Sequence, residues 1–233
     1  MSIKKESSLS NAKIVYDITK FTHLDYPNHL ACIVWFAGCN MRCGYCYNAD
    51  IVLAINGHYT LFDVLVYLKT RVGLLDAVVL SGGEACAHEL LAFCREIRAL
   101  GFKIKLDTNG TYFENLYVLC EAKLLDYVAL DYKAPKNKFK AITHSGRFEA
   151  FSKSLDYLLQ SGMAFEVRTT VHGDLLDEND INLIVDDLIL RGYDKTYYLQ
   201  PFLDTDTTLG DMKRNTKKLE RALLSEKLEI VIR

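Results

Sequence analysis

The sequence predicts an α/β fold, a mostly parallel sheet covered by helices. Three observations predict it. Six short apolar runs alternate with stretches of helical spacing along the 233 residues, and strands alternating with helices build parallel sheets. Four of the helical stretches end at or just before a glycine, a common way for a helix to stop. The residues able to do chemistry directly follow the apolar runs, at the carboxyl ends of the strands, where ligands gather in such folds.

The elements follow in order. LACIVWFA (30–37) is a continuous apolar run, the mark of a strand buried on both faces. The stretch CNMRCGYCYN (39–48) follows it. TLFDVLVYLKTR (60–71) has helical spacing, an N-cap at Thr60 and a stop before Gly73. DAVVLS (76–81) is the second strand, with GGEA (82–85) after it, and HELLAFCREIRAL (88–100) is a helix closed by Gly101. FKIKLDT (102–108) is the third strand, leading into TNG (108–110). YFENLYVLCEAKLL (112–125) is a helix capped at Thr111. DYVALDY (126–132) is the fourth strand, with Asp131 and Lys133 at its end. EAFSKSLDYLLQS (149–161) is a helix running to Gly162. AFEVRTTV (164–171) is the fifth strand and carries Arg168. DENDINLIVDDLILR (177–191) runs to Gly192, and KTYYLQPF (195–202) is the sixth strand, with Gln200 near its end. TTLGDMKRNTKKLERALLSEK (207–227) is expected to hold a last helix. No linker divides the chain, so 1–233 reads as a single domain, with a core of about 13–202 and a C-terminal helix and tail at 203–233.

Composition narrows the class. Half the residues are hydrophobic, a quarter are charged and the net charge is −2, which suits a globular core and gives no basic stripe for nucleic acid. MSIKKESSLS has no apolar segment after its lysines, so no secretory signal is expected. LACIVWFAGC, the longest apolar run, is half of the ~20 residues a membrane helix needs. No membrane association and a cytoplasmic location follow as expectations. Seven cysteines are then reduced thiols, and an odd count argues against a disulfide framework.

Cys39, Cys43 and Cys46 lie within eight positions and no fourth cysteine is near. Structural zinc closes four positions with Cys or His, and iron–sulfur cubanes take four cysteines. Three ligands leave one metal position open for something other than protein. His58, twelve residues beyond Cys46, could close a zinc site, and three buried structural cysteines would need no metal at all.

GCNMRCGYC, with Tyr45 before the last cysteine, resembles the signature of the radical S-adenosylmethionine enzymes. The resemblance implies that Cys39, Cys43 and Cys46 hold a 4Fe-4S cluster whose open iron chelates S-adenosylmethionine, with Tyr45 near the adenine. It also implies a partial (β/α)6 barrel of mostly parallel strands, with cluster and cofactor at their carboxyl ends. SGGEACAHE (81–89) resembles the family's GGE motif, in which Gly82 and Gly83 let a ligand approach the backbone and Glu84 meets the methionyl amino group. Ala85 stands where the family has proline. LDTNGT (106–111) and ALDYKAP (129–135) resemble motifs of the enzymes that activate glycyl-radical proteins. They make Asp107, Thr108, Asn109, Asp131 and Lys133 cofactor-binding, with acidic and threonine oxygens able to hold a monovalent cation. Arg168 resembles an arginine that reaches the cofactor, and Gln200 lies at the rim.

The opening YDITKFTHLDYPNHLACIVWFAGCNMRCGYCYN resembles the start of these activases, with a short N-terminal strand and Tyr47 in place of the usual histidine. The nearest resemblance is to the longer form of the activating protein for anaerobic ribonucleoside-triphosphate reductase. It implies one-electron cleavage of the sulfonium to methionine and a 5'-deoxyadenosyl radical, which takes a hydrogen atom from a glycine of the partner reductase. A flavodoxin- or ferredoxin-type protein would supply the electron. The alternatives are a small-molecule radical enzyme such as a 7-carboxy-7-deazaguanine synthase, a zinc-binding scaffold without catalysis, and an electron-transfer protein. Cys32, Cys94, Cys120 and Trp35 read as core. Cys86 reads as packing, although a helix start could activate it. His172 reads as hydrogen-bonded structure, and Lys4, Lys5 and the run at 213–218 as solvated surface.

Overall fold

The computed structural model describes residues 10–205, 207–212 and 214–233. Lys4, Lys5 and Lys213 lie outside the described residues.

Among the described residues eight strands form one open sheet in sequence order. They are β1 (Val15–Thr22), β2 (Ala31–Phe36), β3 (Ala77–Gly82), β4 (Lys103–Thr108), β5 (Tyr127–Asp131), β6 (Phe165–Val171), β7 (Tyr197–Pro201) and β8 (Ile230–Ile232). β1 runs antiparallel to β2, and every later pair is parallel. The six expected parallel strands are β2 to β7. The helices are α1 (Ala49–Leu53), α2 (Leu61–Lys69), α3 (Leu91–Ala99), α4 (Phe113–Glu121), α5 (Lys136–Thr143), α6 (Phe148–Gln160) and α7 (Glu178–Leu190). No helix among the described residues is long and apolar enough to cross a membrane.

Period-two alternation along the strands separates two environments. Cys32, Val34 and Phe36 of β2, with Val78, Leu80, Ile104 and Leu106, point to the helices and join Leu68, Phe93, Ile97 and Phe151 in the main core. Each such side chain contributes roughly 1.5–3 kcal/mol by leaving water. The other face holds a smaller cluster of Ala31, Ile33, Ala77, Val79 and Tyr26. Further toward the carboxyl ends that same face turns polar, through Ser81, Asp107, Asp131 and Arg168, and lines a cavity. The fold thus rests on its outer face and leaves one end of its inner face for chemistry. Cys94 and Cys120 lie in the main core as expected. Trp35 does not: it is half-buried on the inner face, lines the cavity, and donates its indole N–H to Thr19 Oγ1 at 2.8 Å.

The local signals act as read at α2, where Thr60 and Asp63 form a reciprocal capping box. At α4 the expected cap fails: Tyr112 is the N-cap and makes no side-chain bond, because the Thr111 hydroxyl is used elsewhere. Among the described residues of 207–227 the expected helix is absent. The described residues of 203–220 run instead as an irregular strap, followed by a single 3-10 turn at Arg221–Leu223. Thr208 accepts from the Met212 N–H, Asn215 from the Gly173 N–H, and Thr216 donates to Asp174. Side chains that bond nearby and distant backbone in this way compete with a helix, and Asp211 adopts the left-handed φ of 49°. The chain then ends in β8, a strand the sequence reading did not include, as it did not include α1 or α5.

Candidate active site

The cysteines sit on the loop after β2, and Cys39, Cys43 and Cys46 line a single cavity of about 220 Å³. All three thiols are free. The loop is pinned locally: the Cys46 N–H donates to Cys43 O at 3.0 Å, and the Arg42 N–H donates to Thr143 O at the end of α5 at 2.8 Å. Burial, with the nearby Glu84 carboxylate, pushes the Cys39 thiol up to about 12, and burial also raises Cys43. A metal group binds thiolates, so its binding here must displace the thiol protons.

Among the described residues no three of His, Cys, Asp or Glu converge on a position for one metal ion. A single zinc draws its sulfurs to about 2.3 Å from one centre, whereas a cubane gives each thiolate its own iron and spreads the ligands. His58 closes nothing, since its Nδ1 bonds Tyr16 O at 2.6 Å and it does not line the cavity. The Tyr45 hydroxyl is buried against the Cys43 sulfur and near the Lys133 ammonium, and makes no hydrogen bond of ordinary geometry among the described residues. Three thiols around one space and an orphaned polar atom in its wall fit a three-cysteine cluster and an organic cofactor.

Gly82 and Gly83 line the cavity, and the protein's own backbone also approaches them closely. A Cβ on Gly82, at φ 118°, would stand 2.3 Å from Phe36 N, and one on Gly83 would stand 2.0 Å from Gly38 O. The close approach lets the Glu84 N–H donate to Gly38 O at 2.9 Å and couples the GGE turn to the cysteine loop. The Glu84 carboxylate accepts from Cys86 N (3.0 Å), Thr108 Oγ1 (2.7 Å) and Asn109 N (2.7 Å). Burial pushes its carboxyl up to about 7 against those donors. Ala85 is buried in a 3-10 turn held by Glu84 and by Asn115 Nδ2 on Cys86 O at 2.8 Å, so hydrogen bonds supply the stiffness a proline would give. Cys86 is buried and its thiol is raised well above the ordinary value by desolvation, which is packing and not reactivity.

The cavity floor is a chain of alternating charges across β4, β5 and β6. Lys105 Nζ meets Asp107 Oδ1 at 2.7 Å, and Asp107 Oδ2 meets Arg168 at 3.2 Å. Arg168 Nε meets Asp131 Oδ1 at 2.5 Å, and Asp131 Oδ2 meets Lys133 Nζ at 3.0 Å. Burial alone would raise the Asp131 carboxyl, but Arg168 and Lys133 outweigh it and hold it at about 2. Lys105 lies behind the lining; the four charges that face the cavity, Asp107, Asp131, Lys133 and Arg168, balance. Lys133 faces Tyr45 and Cys43, where it can meet an anionic group of a ligand.

Every site position named from the sequence, from Cys39 to Gln200, lines this cavity. His172 does not; it is buried against Phe202, with ring centroids 4.8 Å apart. Sequence reasoning missed Lys105, whose signal was a lysine two residues before Asp107 on the same strand face. It also missed Asn40, which bonds Asn109, and Thr208 to Met212, which strap the cysteine loop from above.

A model of the Radical SAM superfamily matches residues 33–187. The chain is 31% identical over 175 residues to a putative glycyl-radical enzyme activating enzyme of Methanocaldococcus jannaschii, covering 72% of each chain. It is 27% identical over 179 residues to the pyruvate formate-lyase-activating enzyme of Clostridium pasteurianum, covering 71% of each. Among solved structures, SuiB of Streptococcus suis bound to S-adenosylmethionine shares the fold with a TM-score of 0.65 at 14% identity. That match covers 86% of this chain and 51% of SuiB.

Proposed function

The chain belongs to the Radical SAM superfamily, and we propose that it acts there as an activase that cleaves S-adenosylmethionine and generates a glycyl radical on an anaerobic (class III) ribonucleoside-triphosphate reductase. The observation that carries this reading is the single cavity in which three free thiols face the charged ends of β4 to β6. The relatives whose names are activating enzymes support the activase class.

Cys39, Cys43 and Cys46 would hold the 4Fe-4S cluster. When bound, cluster and cofactor supply one electron and a breakable carbon–sulfur bond. The protein supplies position and shielding. Glu84 has used three of its carboxylate lone pairs and keeps one for an ammonium group. Lys133 and Arg168 present the positive side of the floor to a carboxylate, and Asp131 fixes both through its two oxygens. Tyr45 packs in the cavity wall, and half-exposed Tyr47 stands at its mouth. In this reading a monovalent cation would be held by the remaining lone pairs of the Asp107, Asp131 and Thr108 oxygens, beside their pairs with Lys105, Arg168 and Lys133. The reading places the enzyme in the cytoplasm with a flavodoxin- or ferredoxin-type electron donor.

The test is anaerobic. The protein is reconstituted with iron and sulfide, reduced, and given S-adenosylmethionine with and without the reductase, with Cys43→Ala as control. Expected are 5'-deoxyadenosine and a glycine-centred radical signal on the reductase. Cleavage without transfer would move the reading to a small-molecule substrate, and a loaded cluster that cleaves nothing would overturn it.

A further inference from the structure

Asn109 is held more tightly than a cofactor contact requires. Its Oδ1 accepts from the Thr111 N–H at 3.0 Å and from Thr111 Oγ1 at 2.6 Å. A backbone N–H can only donate, so the amide cannot be flipped. Its Nδ2 therefore faces Asn40 Oδ1 at 3.0 Å and the Cys39 sulfur at 3.8 Å. Asn40 Nδ2 closes the ring on Thr111 Oγ1 at 2.8 Å. Both amide hydrogens and both oxygen lone pairs are then in use within the protein.

The main chain around it is equally fixed. The Asn109 N–H donates to Glu84, and Ser154 Oγ donates to Gly110 O at 2.6 Å. Gly110 sits at φ 70°, where a Cβ would stand 2.6 Å from Leu130 Cδ1, so any side chain there would be strained. Asn109 and Thr111 are buried. The Met41 N–H reaches the same sulfur at 3.4 Å.

We propose that Asn109 is a tuning residue that donates its amide hydrogen to the Cys39 thiolate and so raises the reduction potential of the cluster. The inference rests on the cluster reading above. An N–H bond to a ligating sulfur withdraws electron density and favours the more negative, reduced state. Burial strengthens the bond by lowering the local dielectric. The neighbouring Glu84 carboxylate works the other way, so a cluster at this place needs donors to remain reducible by a protein partner.

The test uses the reconstituted full chain and an EPR-monitored redox titration, with iron content measured in parallel. Asn109→Ala is expected to reduce the ratio of reduced to oxidised cluster at a fixed potential by about three- to tenfold, tenfold being 59 mV for one electron. Thr111→Val keeps the backbone donor but frees the amide, and a smaller fall in the same direction is expected. Admitting water would raise the potential, so the sign separates the lost hydrogen bond from a loosened pocket. A full cluster with an unchanged or raised potential in both variants overturns this inference alone. A wild-type chain that assembles no cluster overturns the proposed function and this inference with it.

Discussion

Gly44 of the cysteine loop and Gly210 of the strap touch backbone to backbone: a Cβ on Gly210 would stand 2.8 Å from Gly44 Cα. On either side of that contact the Gly210 N–H donates to Gly44 O at 2.9 Å and the Leu209 N–H to Cys46 O at 2.8 Å. The strap's other end is lashed beyond β6, where Gly173 lies under Lys217 O and Thr216 bonds Asp174. The strap thereby ties the loop after the first parallel strand to the region beyond β6, across the open side of the sheet.

Gly210→Val is expected to lift the strap. Overpacking of this kind costs about 1–3 kcal/mol, and the backbone cannot retreat without breaking the two strap bonds. Hydrogen exchange should quicken at the amides of 209 and 210 while β3 and β4 keep their protection, and the urea midpoint should fall. Unchanged exchange at those two amides would mean that the contact is incidental.

Asp131 predicts an acid limb to stability. Its carboxyl titrates at about 2 in the folded chain, against about 3.9 unfolded. Between those values the unfolded chain binds the proton and the folded chain does not, so stability rises with pH across the window. The contribution, about 2–3 kcal/mol, is fully present above pH ~4 and is lost as pH falls through ~2. Urea titrations from pH 2 to 6 should show this slope in the wild type and a shallower one in Asp131→Asn. The variant should also be less stable at pH 7, because Arg168 and Lys133 lose their shared anion. Parallel slopes in the two proteins would contradict the assignment.

Much of this site was legible because its signals are local. Three cysteines at a set spacing, a glycine pair after an apolar run, and Asp107 and Asp131 on successive strands need only short-range geometry to be read. What was misread depends on distant partners. The glycines at 82 and 83 are recognisable as close-approach positions, but the backbone that approaches them, Phe36 at Gly82 and the Gly38 carbonyl at Gly83, comes from another strand and its loop. KRNTKKLERALL has helix-forming composition, yet Asn215 and Thr216 find partners across the fold at Gly173 and Asp174, and no α-helix forms among the described residues there. β8 is three residues long and exists only because β7 offers it an edge. Lys105 was hidden by reading β4 as uniformly apolar, when its inner face carries Lys105 and Asp107 in alternation.

Lys105 predicts a measurable coupling. Its ammonium is buried, with 3% of the side chain exposed, and it is one of two cations on Asp107. Lys105→Met should cost about 3 kcal/mol, the range for breaking a buried pair from one side. Arg168 still faces Asp107 in that variant, and adding Asp107→Asn leaves Arg168 with Asp131 alone, so the double variant should lose less than the sum of the two single costs. Urea denaturation of the two single variants and the double completes the cycle. Simple additivity of the two costs would show that the charge chain is not a coupled unit.

Tyr45 separates stability from function. Its hydroxyl is buried beside the Cys43 sulfur with no hydrogen bond of ordinary geometry among the described residues, and an unsatisfied buried hydroxyl costs about 1–3 kcal/mol. The ring itself fills core volume, so Tyr45→Phe keeps the packing and removes only the strained polar atom. The cluster-free variant should be at least as stable as the wild type in urea. If the hydroxyl is kept for a ligand, the same variant should bind S-adenosylmethionine more weakly once the cluster is in place, by about tenfold for one lost hydrogen bond near 1.4 kcal/mol. Gain in one measurement with loss in the other is the pattern of a residue held against stability for binding. A variant that loses stability in the cluster-free state would instead show that the hydroxyl already has a partner, the nearby Cys43 thiol being the candidate, and would remove the reason for assigning it to the cofactor.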